Sequence, residues 1–490
     1  MQGGSAQFRA KRISHAKILQ NLFTSPLKYG IIRNLLVDEK GAKTVKAYTV
    51  GLYTLGCKVS QYETEAMAED FARRGFVCRD FSEVCDVYVI NTCTVTAESD
   101  RKCRQIIRRA YKRNPAARIM VCGCYAQTTP EDIMQLPGVA YVCGTGGKMQ
   151  IAARATELLA APPAPPLCAV TRVEEEPFEP MSITRAPRTR AYLKIEDGCS
   201  CRCTYCAIPG ARGNVRSKPV ADVLAEVAAL AAGGVREIVL TGIETAAYGE
   251  DTGDIRLIDL LEALDARADT PRLRLGSLSP ELIRPDFVRR FAALACVTPH
   301  LHLSMQSGSD AVLRGMRRRY NAEMALSSLA ALRAALPRVQ FTTDMMVGFP
   351  GETDEMFAET LDFCRRARFL DMHVFAYSRR PGTPAADYPD QVPENVKHER
   401  SARLIALKNE IRDSILTELC NAGEPLPVLF ETRDGDHYTG HSDTYVEVRV
   451  PVGGTDPRGD VYLVRPLSAR EGILYGEIIK NINTRSGEKQ

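Results

Sequence analysis

The sequence lacks any long uninterrupted run of apolar residues: nothing in the chain approaches the roughly twenty that cross a bilayer. Its first residues, MQGGSAQFRAKRISHAKILQNLF, also lack the apolar core and small-residue cleavage site of a secretory signal. The net charge of +4 is too small for a chain of 490 residues to indicate a partner by itself. We therefore expect a cytoplasmic protein with no membrane association.

Cysteine, in contrast, is abundant, with 16 residues in the chain. Such a content suits a disulfide scaffold only in a short secreted protein; in a long chain without a secretion signal it indicates metal binding or reactive thiols in a reducing compartment. Hydrophobic residues make up 45% and charged residues 25% of the sequence, which is ordinary for a globular protein. The length exceeds what one hydrophobic core supports, so we expect several domains.

Changes of pattern divide the N-terminal part of the chain into three segments. Residues 1–46 carry no motif and no strong period, and we interpret them as an N-terminal extension. Residues 47–158 alternate short apolar runs with helical patterns, which predicts a parallel sheet with helices on its faces. Residues 159–187 are rich in proline and charge and are predicted to be a linker.

Two further domains are predicted after the linker. Residues 188–420 repeat a strand and a helix six times, which predicts a partial (β/α)6 barrel with its functional groups at the carboxyl ends of the strands. Residues 421–486 alternate strands with Asp-Gly and Gly-Gly turns, the pattern of a small antiparallel β-barrel. The predicted fold class is therefore α/β, with a parallel-sheet domain, a central barrel and a small β domain in that order.

The densest group of cysteines is CSCRCTYC, residues 199–206, directly after the predicted strand AYLKIEDG. Cys199, Cys203 and Cys206 have the spacing Cys-x3-Cys-x2-Cys, and three thiolates can hold a [4Fe–4S] cluster with one metal position open. With Cys201 as a fourth ligand, the loop could instead form a closed zinc site, although this spacing crowds alternate residues. Both alternatives remain open from the spacing alone.

The same spacing, with aromatic Tyr205 before the last cysteine, resembles the signature of the radical S-adenosylmethionine (SAM) superfamily. The resemblance implies that Cys199, Cys203 and Cys206 are the catalytic cysteines and bind a [4Fe–4S] cluster. It also implies that the open iron of this cluster binds SAM, which is cleaved to a 5′-deoxyadenosyl radical. Tyr205 is then expected to contact the adenine of the cofactor.

Three cysteines in the N-terminal segment each follow an apolar strand: Cys57 in YTLGCKVSQYETE, Cys93 in VINTCTVTAESDRK and Cys124 in VCGCYAQ. A parallel sheet would bring them to one edge, although each taken singly is more often a buried structural cysteine. Together these segments resemble the N-terminal domain of the methylthiotransferases, which carries a second [4Fe–4S] cluster on three cysteines. The C-terminal β segment resembles the TRAM module of the same family.

By these motifs, which span about residues 47–485, the chain is identified as a member of the radical SAM methylthiotransferase family. Membership implies that one SAM molecule supplies the radical and another the methyl group, while the second cluster adds sulfur. The resemblance implies tRNA as the partner, and we expect a monomer. Neither the electron donor nor the sulfur source can be assigned from the sequence.

Motifs at the strand ends favour the branch of the family that acts on N6-threonylcarbamoyladenosine at position 37 of tRNA, next to the anticodon. LTGIETAAYGED lacks the Gln-Asn pair that the isopentenyladenosine branch usually has at Ile243 and Glu244, and Ser304 replaces the proline common there. Methylthiolation of isopentenyladenosine in tRNA or of a ribosomal-protein aspartate remains an alternative. A non-catalytic, metal-stabilised RNA-binding protein is a second alternative, from a different functional class.

Polar residues and glycines at other strand ends are predicted to contact the cofactor, although such residues are as often simple turn formers. They are Thr241, Gly242, Ser304, Gln306, Asp344 and Gly348. Basic segments are candidates for contacts with RNA phosphates. They are the predicted helix from Arg101 to Arg118, the run Arg317, Arg318 and Arg319, and the pair Arg379 and Arg380. The segment around the cysteine loop 199–206 departs from the family pattern at Cys201, Arg202 and Gly210. These departures put the packing of the loop in doubt more than the identity of the cluster ligands.

Overall fold

The computed structural model of the protein describes residues 47–174 and 176–482. The predicted extension, residues 1–46, lies outside the described residues, as do the last residues of the predicted C-terminal domain. Within the described ranges, no helix is both long and apolar enough to span a bilayer.

The N-terminal part of the chain forms a parallel sheet flanked by helices. In chain order its elements are β1 (Thr49–Thr54), α1 (Lys58–Arg73), β2 (Val77–Arg79), β3 (Val87–Thr92), α2 (Ala97–Arg113), β4 (Arg118–Gly123), α3 (Cys124–Thr128), α4 (Pro130–Met134), β5 (Val139–Val142), α5 (Ile151–Ala160) and β6 (Leu167–Cys168). The strand order is β2-β1-β3-β4-β5-β6. Every residue of β3 is buried, because helices cover both faces of the sheet. The predicted parallel sheet is confirmed.

The central part of the chain repeats strand and helix, as predicted. Its elements are β7 (Arg190–Lys194), β8 (Glu196–Asp197), α6 (Ile208–Arg212), β9 (Arg216–Ser217), α7 (Val220–Ala232), β10 (Glu237–Thr241), α8 (Leu257–Asp265), β11 (Arg272–Leu275), β12 (Ser277–Leu278), α9 (Pro285–Ala292), β13 (His300–Gln306), α10 (Asp310–Gly315), α11 (Ala322–Ala335), β14 (Gln340–Val347), α12 (Asp354–Ala367), β15 (Asp371–Ala376) and α13 (Glu394–Ala422). The main strands are parallel and follow chain order in two sheets, β7-β10-β11 and β12-β13-β14-β15.

The two central sheets arise because one predicted strand, RLRLGSLSP, is divided at Gly276. The Gly276 N–H donates to the carbonyl of Leu240 at 2.8 Å, which keeps this point of the chain on β10. A Cβ atom at Gly276 would lie 3.0 Å from the same carbonyl oxygen, so the close approach requires glycine. From Ser277 onward the chain pairs with β13 instead. The strands of the partial barrel therefore lie side by side, but their hydrogen bonding is divided into two sheets at Gly276.

The C-terminal part is a closed five-stranded β-barrel of mixed direction. Its strands are β16 (Leu426–Asp434), β17 (His437–Ser442), β18 (Glu447–Pro451), β19 (Val461–Arg470) and β20 (Ile473–Asn481). They close in the order β16-β17-β18-β20-β19, and all pairs are antiparallel except β18 with β20. The small β-barrel is confirmed, with one parallel pair that the alternating pattern did not reveal.

The predicted linker 159–187 is partly ordered on the first sheet. Helix α5 continues to Ala160, and β6 adds Leu167–Cys168 to the edge of that sheet beside β5. Met181 and Ile183 are buried in the same hydrophobic core as the barrel. The exact domain boundaries stay a prediction.

A buried carboxylate joins the barrel to the C-terminal domain. Glu237, the first residue of β10, is fully buried and accepts hydrogen bonds from Arg272 and from Arg274 Nε, the latter at 2.9 Å. Burial alone would raise the pKa of Glu237, but the two guanidinium groups hold it below its usual value. Arg274 also donates to the carbonyls of Ser442 and Asp443, at 3.0 and 3.1 Å. The C-terminal barrel therefore covers the amino ends of the central strands.

Substitution of Glu237 by alanine is expected to destabilise the protein by about 3–5 kcal/mol, because the buried Arg274 and the partly buried Arg272 would lose their carboxylate. The measurement is the urea midpoint of unfolding. The control is Asp286→Asn, which removes the partner of an exposed arginine, Arg289, and should cost no more than about 0.5 kcal/mol. Equal midpoints for the two variants would contradict the prediction.

Candidate functional site

The first candidate site is an edge of the N-terminal sheet that carries three cysteines. Cys57, Cys93 and Cys124 follow β1, β3 and β4, which are adjacent and parallel. The Cβ position of Gly56 lies 3.4 Å from Cβ of Cys93, and the Cys93 thiol interacts electrostatically with Cys57 and Cys124. The structure thus brings the three predicted ligands of the second cluster together, while their role as ligands stays a prediction.

Burial and a nearby cation act in opposite directions on the thiols of this first triad. Burial raises the pKa of Cys93 to about 11 and also raises that of Cys124, while the nearby Arg212 guanidinium opposes the rise in Cys124. Arg212 Nε donates to Sγ of Cys124 at 3.2 Å. The Arg212 cation favours the thiolate of Cys124, the form in which cysteine binds iron, against the opposing effect of burial. The donor set therefore fits an iron–sulfur cluster.

The second candidate site is the loop of residues 199–206, at the carboxyl end of β7. Backbone hydrogen bonds hold it on two sides: the Cys199 N–H donates to the Gly213 carbonyl at 3.0 Å, and the Thr204 N–H to the Met316 carbonyl at 3.2 Å. The loop is thus attached both to the end of α6 and to the turn after α10. Such anchoring gives its thiols defined positions without help from regular secondary structure.

Arg318 supports this loop from inside the protein. Its Nη1 lies 3.5 Å from Sγ of Cys203, its Nη2 donates to the Ser304 carbonyl at 2.9 Å, and its guanidinium stands 5.1 Å from the centre of the Tyr320 ring. The sequence suggested Arg318 as a phosphate contact, but its guanidinium group instead binds Cys203 of the loop and the Ser304 carbonyl. The neighbouring Arg317 and Arg319 are exposed and remain candidates for phosphate contacts.

Cys201, the additional cysteine of the loop, lies beside Cys199. The interaction between the two thiols lowers the pKa of Cys201 to about 6 and raises that of Cys199. Among the described residues, no three His, Cys, Asp or Glu side chains are close enough to enclose a single metal ion.

Two glutamates at the barrel mouth, the buried Glu196 and the half-buried Glu244, were missed as site residues in the sequence. Glu196 follows β7 and accepts the Glu244 N–H at 2.9 Å; a Cβ at Gly242 would lie 2.4 Å from the same Glu196 oxygen. Burial raises the pKa of Glu244 to about 7. Thr241, also predicted here, is buried, and its carbonyl accepts the Ile195 N–H at 2.9 Å. Acidic residues directly after two barrel strands were the signal that could have identified them.

The predicted contacts on β13 differ in their surroundings. Ser304 offers its carbonyl to Arg318, as described, so only its side chain remains for a cofactor. Gln306 ends the strand with φ of +66°, and its buried Oε1 has no hydrogen-bond partner within the described part of the chain. A strained, buried and unsatisfied amide at a strand end is a strong candidate for a ligand contact.

The remaining predicted contacts separate into three environments. Tyr205 packs against an apolar cluster that includes Met346 and Phe349. Asp344 lies between two histidines, 3.4 Å from His302 Nε2 and 3.3 Å from His373 Nδ1. Burial would raise the pKa of Asp344, but the two histidines hold it below its usual value. Gly348 has φ of +73° and faces Lys397, whose Cγ lies 2.3 Å from its Cβ position. Packing therefore accounts for Gly348, and no described contact joins it to the cysteine loop.

Of the basic segments, α2 presents the most exposed charge. Its exposed basic residues are Arg101, Lys102, Arg108, Arg109 and Lys112. Arg380, in contrast, pairs with Asp100 at 2.8 Å and donates to Thr94 at 2.7 Å, so it joins the central barrel to the first domain. Arg379 is exposed.

Two family models match the chain. Residues 193–364 match the "Radical SAM superfamily", and residues 49–144 match the "Uncharacterized protein family UPF0004". Among solved structures, the radical S-adenosylmethionine methyltransferase TsrM from Kitasatospora setae is similar, with a TM-score of 0.52 and 17% identity. The similarity covers 69% of this chain and 74% of that one, and at this identity it concerns the fold alone.

Curated relatives are similar over most of their length. "Threonylcarbamoyladenosine tRNA methylthiotransferase MtaB" of Bacillus subtilis is 41% identical over 437 residues, which cover 88% of this chain and 95% of that protein. "tRNA-2-methylthio-N(6)-dimethylallyladenosine synthase" of Acidothermus cellulolyticus is 38% identical over 455 residues, 90% of each protein.

Cys203→Ser is expected to remove the cluster of the 199–206 loop, because it deletes a buried ligand, whereas Cys201→Ser should keep it. The measurement is iron per chain after anaerobic reconstitution, which should fall by about half in Cys203→Ser if two clusters of equal iron content assemble. Iron loss in Cys201→Ser would instead make Cys201 a ligand.

Proposed function

This chain belongs to the methylthiotransferase family of radical SAM enzymes, and on that premise we propose that it methylthiolates N6-threonylcarbamoyladenosine at position 37 of tRNA, in the cytoplasm. The product is 2-methylthio-N6-threonylcarbamoyladenosine. The observation that carries the proposal is the junction between the two cysteine triads. Arg212 donates to Cys124 of the first triad, and the next residue, Gly213, accepts the Cys199 N–H of the second.

Membership in the radical SAM superfamily implies SAM and a [4Fe–4S] cluster, for which Cys199, Cys203 and Cys206 are the proposed ligands. We propose a second [4Fe–4S] cluster on Cys57, Cys93 and Cys124. When bound, these groups supply a radical that removes hydrogen from an unactivated C–H bond, and the sulfur that takes its place.

The residues around the 199–206 loop hold and shield this chemistry. Arg318 donates an N–H toward Cys203, and the apolar cluster behind Tyr205 keeps water from that side of the loop. Glu244 and Gln306 offer a carboxylate and an unsatisfied amide to the polar groups of a cofactor. Exclusion of water matters here because a reactive radical would otherwise be lost to side reactions.

The proposed partner, tRNA, is supported by the exposed charge of the basic helix. Helix α2 begins four residues after Cys93 with the acidic residues Glu98 and Asp100 in its first turn, and its exposed basic residues extend from Arg101 to Lys112, away from the cysteine edge. Phosphate contacts of this kind orient an RNA without reading its bases. The relatives with known names act on two different adenosine modifications at 41% and 38% identity, so overall similarity barely separates the substrates.

The threonylcarbamoyl substrate is supported by a half-buried cation beside Cys57. Lys58 follows Cys57, and burial, then Arg190 on β7 and Arg274 on β11, lower its pKa, while Asp344 on β14 opposes this. Lys58 is half-buried and lies within electrostatic range of charged groups on three barrel strands. The threonylcarbamoyl group carries a carboxylate, which this ammonium would neutralise, whereas the isopentenyl group is apolar.

The nucleosides of tRNA test the proposed substrate. In a strain that lacks this gene, we expect 2-methylthio-N6-threonylcarbamoyladenosine to disappear from tRNA while methylthio-isopentenyladenosine is unchanged, as measured by mass spectrometry. The gene restored on a plasmid is the control. Unchanged levels of the threonylcarbamoyl product would contradict the proposal.

Lys58→Met is expected to raise KM for tRNA carrying threonylcarbamoyladenosine by about tenfold or more, because a charge-assisted bond to the carboxylate contributes roughly 1.5–3 kcal/mol. Lys58→Arg keeps the positive charge and should raise KM by less than Lys58→Met does. The iron content of each variant shows whether the substitution has disturbed the neighbouring Cys57, a predicted cluster ligand. An unchanged KM with full iron would remove Lys58 from substrate recognition.

A further inference from the structure

Arg212 is a fully buried arginine that contacts both halves of the site. It ends α6, with no exposed surface, and its Nε donates to Sγ of Cys124 at 3.2 Å. Its Nη1 donates to Glu63 on α1 at 3.0 Å and to Asp197 at 2.9 Å. Asp197 stands two residues before Cys199. One side chain from the barrel therefore contacts Cys124, a predicted ligand of the first triad, and Asp197, in the segment that leads into the second triad.

The charges around Arg212 leave an excess of positive charge. Lys194 bridges the same two carboxylates, 3.2 Å from Glu63 and 3.0 Å from Asp197, and Lys148 lies 2.7 Å from Glu63. With Arg216, 4.0 Å from Asp197, and Glu179, which interacts with Lys148 and Lys194, the cluster contains four cations and three carboxylates. A buried excess charge is costly unless it is balanced.

The backbone holds Arg212 rigidly against the 199–206 loop. The Gly213 carbonyl accepts the Cys199 N–H at 3.0 Å, and the Gly198 N–H donates to Asp197 at 2.8 Å. Gly198 has φ of +83°, and a Cβ atom there would lie 1.9 Å from the Asn214 carbonyl oxygen. The guanidinium is therefore fixed in its position and cannot retreat from Cys124 without disturbing the loop.

We propose that Arg212 is a positioning residue that raises the reduction potential of the second cluster, through one charge-assisted N–H···S bond to the buried Cys124. The inference rests on the proposed function, because it requires a cluster on Cys57, Cys93 and Cys124. Reduction adds one electron to a cluster and makes its ligand sulfurs more negative. A neighbouring cation and hydrogen-bond donor stabilise the reduced form more than the oxidised form, which raises the potential.

The test uses the full chain with Cys199, Cys203 and Cys206 all replaced by alanine, so that only the second cluster assembles. Its midpoint potential is measured by electron paramagnetic resonance during a titration with dithionite and redox mediators. Addition of Arg212→Gln is expected to shift the midpoint to a more negative value. Addition of Arg212→Lys, which keeps the charge but loses the Nε–H donor, should shift it less in the same direction.

Glu63→Gln is the matched control, because it removes a charge of opposite sign from the same cluster without a direct contact to Cys124. It is expected to shift the midpoint to a more positive value. Simple structural damage would move both variants in the same direction, and that result would overturn the inference. So would an unchanged midpoint in Arg212→Gln with full iron content.

If Arg212→Gln fails to fold, the Arg212→Lys and Glu63→Gln variants decide: opposite shifts support the inference, and unchanged midpoints overturn it. The proposed function fails in a different way. If the parent with three alanines binds no iron after reconstitution, the second cluster itself is absent, which overturns both the two-cluster proposal and the inference on Arg212.

Discussion

The buried ion pairs of Arg212 with Glu63 and Asp197 are the interaction on which the arrangement of the site depends. They join α1 of the N-terminal domain to the end of α6 in the barrel, in a place without solvent. Each of these charges would be costly to bury alone, so the two domains must approach in the one geometry that pairs them. Helix α1 completes this approach with Tyr62, which lies in the hydrophobic core of the barrel. The distance between the two cysteine triads is thereby defined.

Strand direction then decides which groups meet at this junction. In both the first sheet and the barrel the strands are parallel, so the residues that follow them gather at one edge. The cysteine triads and the glutamates at 196 and 244 all occupy such positions. The amino ends of the barrel strands carry Glu237 and Arg274 instead, and these bind the C-terminal β-barrel. The predicted cluster ligands thus lie at the carboxyl ends of the barrel strands, and the C-terminal domain binds at the opposite, amino ends.

Several arginines in this structure bind sulfur atoms or carboxylates within the protein, although arginines on a protein surface more often contact solvent or RNA phosphates. Arg212 and Arg318 each direct an N–H toward the sulfur of a predicted cluster ligand, at 3.2 and 3.5 Å. Arg380 binds Asp100 and so connects the barrel to the helix after Cys93. The planar guanidinium group can bond a sulfur or carboxylate and a backbone carbonyl at once, which lysine cannot match in geometry.

The sequence by itself determined the alternation of strands and helices, the order of the domains and the two sets of cysteines. These are local patterns: a period, a spacing of three and two residues, a thiol directly after an apolar strand. The tertiary structure alone decided that Arg318 turns inward, that Gly348 makes room for Lys397, and that Glu63 pairs with Arg212 across 149 residues of chain. Such contacts join residues with no regular separation in sequence, so no periodic signal precedes them. They form only when the folded domains exclude water from the space between them.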